Sequence, residues 1–338
     1  MPEHLRRRSQ LPRQIRICTG TINGESNRRY YRNLQIGRAT IDLKDKTLIV
    51  ITGPTGCGKT DTAINLAQEL GAEIISADSR QIYRGIPIGT AAPTPEQQST
   101  VKHHFVEILD LDQYYSAAQF EEDVINLLPQ LFAKSDYAVM CGGSMMYIDA
   151  VCKGIDNIPT ISEEIRSEVF NRWKTTGDEA MRLELKLLDP EYYNIVDLKN
   201  MKRVIHAIEI CHQAGEPYSN LRTNTIKERP FKIIKIGLNL PREQLFDRIN
   251  QRVVKMVELG LIDEARKVYP LKHLNSLNTV GYKELFSWMD GVMDYNTAIA
   301  RIQKNTRVYA KKQLTWYAKD PNIQWLAPGD TEAIKRLL

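Results

Sequence analysis

Thr47-Leu48-Ile49-Val50-Ile51-Thr52, running directly into Gly53-Pro54-Thr55-Gly56-Cys57-Gly58-Lys59-Thr60, decides the architecture of this chain. The first six residues are a short apolar, β-branched run, as expected of a strand buried on both faces. The next eight satisfy the phosphate-loop pattern G-x-x-x-x-G-K-[ST] without a mismatch. Thr62, Ala63, Ile64, Leu66, Ala67 and Leu70 then repeat at helical spacing up to a stop at Gly71. Strand, glycine-rich turn and helix thus occur in the order that lets backbone N–H groups and a helix N-terminus face an anion. Lys59 adds a mobile cation, and the Thr60 hydroxyl is the expected ligand for Mg²⁺. The loop by itself does not choose between nucleotides and simple diphosphates, whose oxygens look alike to it.

A chain of 338 residues with 42% hydrophobic content is long for one domain, so one large domain with an insertion, or two domains, is expected. It has no run of about eighteen apolar residues, which argues against a membrane span. Its five cysteines, Cys18, Cys57, Cys141, Cys152 and Cys211, are odd in number and never spaced C-x-x-C, so they read as reduced residues of a cytoplasmic protein. Charge is unevenly placed. Residues 1–46 carry eleven Lys/Arg against four Asp/Glu, whereas the other 292 residues carry 35 against 37. With Arg6-Arg7-Arg8, Arg28-Arg29 and Arg32 and little apolar periodicity, 1–46 reads as a basic, flexible leader. An RNA-grasping arm that uses Tyr30 and Tyr31, a solvated tail and an upstream start codon are its alternative readings.

Further strands are expected over Glu73–Ala77, His104–Leu109 and Asp136–Cys141, separated by turns and by a helix over Ser116–Lys134. This alternation predicts a parallel sheet flanked by helices. Between about residues 160 and 228 the pattern becomes polar and helical, and Phe231–Leu238 restores a strand. The order predicts an α/β core of 47–159 and 229–338, interrupted by an all-helical insertion. Helices are also expected over Asp247–Leu259, Ile262–Tyr269 and Tyr295–Tyr317.

Asp78 closes the second strand, and Ser79, Gln81, Tyr83, Arg84 and Gly89-Thr90-Ala91 follow it. That density of donors and acceptors exceeds what a helix cap or turn needs. A carboxylate at a strand's carboxyl edge beside a phosphate loop is placed to take a proton from a nucleophile while phosphates leave.

At these residues the chain resembles the tRNA dimethylallyltransferases, in their bacterial form. The matching blocks run in order from GPTGCGKT (53–60) and ADSRQIYRGIPIGTAAP (77–93) through HHFVEIL (103–109), YSAAQFEED (115–123) and GGSMMYIDAV (142–151). NMKRVIHAIEI (200–210), RINQRVVKMVELGLIDEA (248–265), VGYKEL (280–285) and KKQLTW (311–316) complete them. The resemblance implies a P-loop NTPase-like fold and transfer of a dimethylallyl group from its diphosphate to N6 of adenosine 37, next to a tRNA anticodon. Allylic C–O cleavage builds charge on the leaving diphosphate, so a clamp is the main requirement. Gly53 to Thr60, with Mg²⁺ on Thr60, supply it, and Arg252 is carried over by motif as a second cation whose planar fork suits phosphate.

By the same resemblance Asp78 is the general base at N6, and Ser79, Arg80, Gln81 and Ser144 contact the flipped nucleotide. The insertion, 160–228, grips the anticodon stem-loop, with Lys202, Arg203 and His206 as RNA contacts and Trp173, Tyr192, Tyr193 and Lys199 nearby. Arg307, Lys311, Lys312 and Gln313 offer a basic helix face to phosphate, or a solvated one. The implied enzyme is a cytoplasmic monomer. Two positions depart from the family pattern: Met145 stands where a glycine is usual and His206 where an arginine is usual. Three other functions share the loop: an adenylate isopentenyltransferase acting on free nucleotide, a small-molecule kinase and a regulatory ATPase. No arginine-rich lid follows the loop to favour a kinase, and the strand at 136–141 ends in glycines rather than in the acid of an ATPase.

Overall fold

The computed structural model describes residues 33–36 and 39–338, so Cys18 and most of the basic leader lie outside the described residues. The leader expected over 1–46 gives way before its end to an antiparallel hairpin, β1 (Asn33–Ile36) with β2 (Ala39–Asp42). Leu43 is already buried, and the Lys46 ammonium pairs with Asp136 at 2.6 Å.

The core then runs β3 (Thr47–Thr52), α1 (Lys59–Glu69), β4 (Ile74–Ser76), α2 (Pro87–Thr90), α3 (Pro95–Thr100), β5 (His103–His104), α4 (Ala117–Phe132), β6 (Tyr137–Cys141) and α5 (Met145–Lys153). After the insertion come β7 (Lys232–Leu238), α10 (Arg242–Glu258), α11 (Leu261–Val268), α12 (Tyr282–Met289), α13 (Tyr295–Tyr317), β8 (Ile323–Leu326) and α14 (Thr331–Lys335). Strands β3 to β8 form one parallel sheet in the order β5-β4-β6-β3-β7-β8. Its alternation builds two cores. Leu48, Val50, Ile75 and Met140 face α4, α5, α11 and α12, while Ile49, Ile51, Ile74, Val139 and Ile236 face α1, α10 and α14. With both faces covered, the central strands read as unbroken apolar runs.

Two elements differ from the sequence expectation. The strand expected to Leu109 stops at His104, because Phe105 (φ 62°) and Glu107 (φ 49°) take the left-handed region. The amides beyond turn instead to the segment after β4, Glu107 to the Gln81 carbonyl and Ile108 to that of Ile82, both at 2.9 Å. Edge strand β8, four residues with only Ile323 buried, has too little apolar periodicity to announce itself.

Between α5 and β7 lie α6 (Glu163–Leu188), broken at Gly177 (φ 78°), α7 (Pro190–Ile195), α8 (Met201–Ala214) and α9 (Tyr218–Leu221). They enclose their own apolar cluster, with Val169, Met181, Leu185, Val204 and Ile208 at its centre. Asp189 is fully buried there, and its carboxylate accepts from Tyr192 N–H (2.9 Å), Ser219 N–H (2.7 Å) and the Ser219 hydroxyl (2.8 Å), tying α7 to α9. The chain returns to the core through Arg229, which donates to Glu121 (2.8 Å) and to the Val151 and Ala150 carbonyls (2.8 and 2.9 Å). Among the described residues, no helix is long and apolar enough to cross a membrane.

Asp189→Ala leaves three donors without their acceptor, a cost of about 2 kcal/mol or more. Hydrogen exchange of the α7–α9 amides should accelerate at least tenfold, while amides of β3 and β6 keep their protection.

Candidate active site

Three neighbouring strands, β4, β6 and β3, end side by side, and each is followed by a segment of the site. β3 leads into the phosphate loop, β6 into Gly142-Gly143-Ser144, and β4 into Ala77-Asp78-Ser79-Arg80-Gln81. Because β6 lies between β3 and β4, the chain crosses over it between loop and Asp78, which opens a crevice at the carboxyl edge. Strands are spaced about 4.8 Å apart, so the loop and Asp78 are held about 10 Å from each other. The crevice is a cavity of ≈ 780 Å³. At its floor the backbones touch: a Cβ on Gly142 would lie 2.1 Å from the Ala77 carbonyl oxygen.

On the loop side, Thr55, Gly56, Gly58, Lys59 and Thr60 line the cavity. Gly58 (φ 95°) precedes α1, so the helix N-terminus opens toward the cavity. Gly53 and Cys57 act underneath, Gly53 against the Leu238 carbonyl at the end of β7 and Cys57 fully buried. Lys59 Nζ donates to the Pro54 carbonyl at 2.8 Å, folded back over its own loop. No cluster of three His, Cys, Asp or Glu suited to a metal occurs among the described residues. The Thr60 hydroxyl lies on the cavity wall, a single protein oxygen of the kind that could hold Mg²⁺, which completes its shell with water and phosphate.

Helix α10 supplies the facing wall with Arg248, Gln251, Arg252 and Lys255. Burial pulls the Arg252 guanidinium below its usual value, Arg248 acts in the same direction, and the Asp78 carboxylate opposes them. A guanidinium so placed stays charged, and it makes no ion pair within 4 Å among the described residues. Sequence reading found Arg252 but missed Arg248 and Lys255, although their i, i+4, i+7 spacing puts all three on one helix face.

Asp78 lines the same cavity. Its Oδ1 accepts from the N–H groups of Arg80 (2.9 Å) and Gln81 (3.4 Å), an Asx-type turn that leaves Oδ2 unpartnered among the described residues. Ser144, buried at the N-terminus of α5, accepts from Ser79 N–H at 2.8 Å and donates to the Ser79 hydroxyl at 3.1 Å. Met145 adopts no positive φ and packs on the core, so the backbone here has no need of the glycine usual at that position. Arg80 turns away, donating to the Asn275 and Ser276 carbonyls (2.9 and 3.1 Å). Gln81 lines the cavity, but its amide is engaged by the Thr90 and Ala91 carbonyls (3.2 and 2.9 Å). Lys202, Arg203 and His206 are exposed on α8 and line no part of this cavity.

Gln313 is the residue the sequence misplaced. The expected basic face of α13 holds for Lys311 and Lys312, which are exposed, but Gln313 is 1% exposed and bridges two site segments. Its Oε1 accepts from Thr55 N–H (2.8 Å) and its Nε2 donates to the Gly143 carbonyl (2.9 Å). Tyr309, one turn earlier on α13, lines the cavity, and desolvation followed by the Asp78 carboxylate pushes its phenol up to about 12. Burial likewise raises the Cys141 thiol to about 12 despite Lys59, so no thiolate nucleophile is available here. Burial lowers the His103 imidazole below its usual value, opposed by the Val101 carbonyl that it contacts at 2.8 Å.

A cation-rich phosphate loop and the Asp78 carboxylate on the walls of one crossover crevice fit a phosphate-loop α/β enzyme for group transfer. Comparison with known proteins narrows the class. The family model for IPP transferase matches residues 81–320. A protein named tRNA dimethylallyltransferase 2 from Parabacteroides distasonis is 56% identical over 288 residues, 85% of this chain and 96% of its own length. One named tRNA dimethylallyltransferase 1 from Phocaeicola vulgatus is 54% identical over 292 residues, 86% of this chain and 97% of its own. Among solved structures, the full-length tRNA isopentenylpyrophosphate transferase of Bacillus halodurans aligns with TM-score 0.63 and 35% identity, covering 87% of this chain and 94% of that one. A eukaryotic dimethylallyltransferase acting on tRNA aligns with TM-score 0.71 and 25% identity, over 86% of this chain and 77% of its own. The chain belongs to the IPP transferase family.

Gln313→Leu keeps the side chain's bulk but strands the Thr55 N–H and the Gly143 carbonyl. The variant should lose about 2 kcal/mol in denaturant titration and bind inorganic diphosphate about tenfold more weakly by calorimetry.

Proposed function

We propose that this protein is a tRNA dimethylallyltransferase, moving the dimethylallyl group of dimethylallyl diphosphate to N6 of adenosine 37 in tRNA and releasing diphosphate. The observation that carries the reading is one cavity whose walls bear Lys59, Arg248, Arg252 and the Asp78 carboxylate together. The names of relatives more than half identical support the same reaction.

In this reading the donor's diphosphate rests on the loop amides of Gly56 and Gly58, the α1 N-terminus, Lys59 and Arg252, with Arg248 beside them. Lys59 exchanges its Pro54 carbonyl for phosphate. Mg²⁺ on Thr60, when bound, adds charge to offset that building on the leaving oxygens. As the allylic C–O bond breaks, its electron pair stays with diphosphate, and N6 of the adenosine forms the new C–N bond. The exocyclic amine is a weak nucleophile until it sheds a proton, which Asp78 Oδ2 accepts. Tyr309 and Cys141, both protonated, do not compete for it. The adenosine has to leave its stack to reach this depth. Ser79 and Ser144 stand beside Asp78 to meet it, and the exposed Lys202, Arg203 and His206 of α8 hold the anticodon stem-loop. The working form is a monomer in the cytoplasm.

Incubation with labelled dimethylallyl diphosphate and either undermodified tRNA or AMP tests the reading. Label on tRNA is expected; label on AMP alone identifies a free-nucleotide isopentenyltransferase, and γ-phosphate transfer from ATP identifies a kinase. Asp78→Ala should slow transfer by about 10²- to 10⁴-fold with diphosphate affinity within twofold of wild type, and normal turnover would remove Asp78 as the base. Lys202→Ala with Arg203→Ala should raise the KM for tRNA several-fold, flatten its salt dependence and leave the donor KM unchanged.

A further inference from the structure

Most of the cavity wall opposite α10 is one short segment, Pro87 to Pro95, containing the four-residue helix α2. So short a helix cannot hold its own shape, and nothing in its sequence explains why it stays in place. A buried pair outside the cavity lining supplies the answer. Glu264 of α11 is 7% exposed, and its two carboxylate oxygens accept separately from Ile88 N–H and Gly89 N–H, both at 2.8 Å. Tyr282 of α12, fully buried, donates to the same carboxylate at 2.6 Å and lies 3.2 Å from the Ile86 carbonyl. Its ring presses on the backbone so closely that a Cβ on Gly89 would lie 2.4 Å from the phenol oxygen. Tyr282 is itself fixed, because the Gly281 N–H donates to Glu284 (2.8 Å), which accepts also from Asn305 of α13 (2.7 Å). Desolvation and then the Glu264 carboxylate keep the phenol protonated, so it remains a donor.

The far side of α2 connects to the chemistry. The Thr90 and Ala91 carbonyls accept from the Gln81 amide, and the Gln81 N–H accompanies that of Arg80 on Asp78 Oδ1. The Gln81 carbonyl oxygen Oε1 in turn accepts from the Ser76 hydroxyl at 3.1 Å, at the end of β4.

We propose that Glu264 and Tyr282 are positioning residues for the transfer reaction, a buried latch that holds α2 as the wall of the donor cavity and, through Gln81, sets the aim of Asp78. The proposal rests on the reaction given above for its kinetic readout. Neither residue touches substrate, and a carboxylate that receives two adjacent backbone N–H groups and a phenol has a geometry that glutamine cannot reproduce, since its NH₂ would face a donor.

The full-length protein with Glu264→Gln is compared with wild type by hydrogen exchange and by steady-state kinetics. Exchange at the Ile88 and Gly89 amides should be at least tenfold faster, with β3 and α8 amides unchanged. Catalytic efficiency toward dimethylallyl diphosphate should fall about tenfold while the KM for tRNA moves less than twofold. Tyr282→Phe, which keeps the ring on Gly89 and deletes one donor, should show the same pattern at about threefold, and it decides the matter if Glu264→Gln does not fold. Unchanged protection of Ile88 and Gly89, or a loss shared equally by both substrates, overturns the latch. The exchange measurement needs no turnover, so a wild-type protein that transferred nothing to tRNA would overturn the proposed reaction without touching this test.

Discussion

The parallel ladder β4-β6-β3 is the constraint on which the rest depends. Strand pairing sets the distance between the ends of β3 and β4, and only side-chain rotamers remain to be adjusted. Nothing at the crossing point can be larger than hydrogen: the Gly142 Cα faces the Ala77 carbonyl so closely that any Cβ would separate the strands. The phosphate loop and Asp78 therefore keep one spacing whatever the loops around them do. Gln313 adds a second tie by spanning from Thr55 to Gly143, which locks the loop to the neighbouring strand end through α13.

Electrostatics bias the cavity toward anions. Lys59, Arg248, Arg252 and Lys255 all line it, against the carboxylates of Asp61, Asp78 and Glu107. Removing cations from water is costly unless an anion repays it, which is why the cradle is strongly biased toward a polyanion and why Arg252 is pulled down by burial while Asp78 holds it up. The same dry surroundings keep Cys141 and Tyr309 protonated. Three carboxylates, Asp61, Asp78 and Glu107, remain on the cavity wall, and Asp78 is the one that follows β4.

The wall that closes the cavity illustrates a different economy of structure. α2 is too short for autonomous stability, and its order is imposed from α11 and α12, whose contacts with it span 175 to 196 residues of sequence. The insertion is organised in the same manner on a smaller scale, around a buried Asp189 that three donors satisfy. Both cases put a carboxylate where backbone amides would otherwise go unpaired, a solution that costs little because both oxygens accept.

Local sequence was enough to determine the phosphate loop, the strand at Thr47–Thr52, the strand expected over Asp136–Cys141 to within one residue, and the helix Tyr295–Tyr317, because each is a pattern of close neighbours with one period or one motif. It also marked where the sheet pauses for a helical insertion. It did not locate the break after His104, where two left-handed residues send the backbone to Gln81 and Ile82, nor the edge strand β8. It read Gln313 as part of a basic face, and it passed over Glu264 and Tyr282 entirely. Those roles exist only between segments far apart in the chain: a glutamine on a polar-looking helix becomes a buried bridge, and a glutamate in an ordinary amphipathic pattern becomes a latch, once packing removes water and leaves a distant amide as the sole partner. Periodicity reports which face of an element is buried, and tertiary structure alone decides what that face meets.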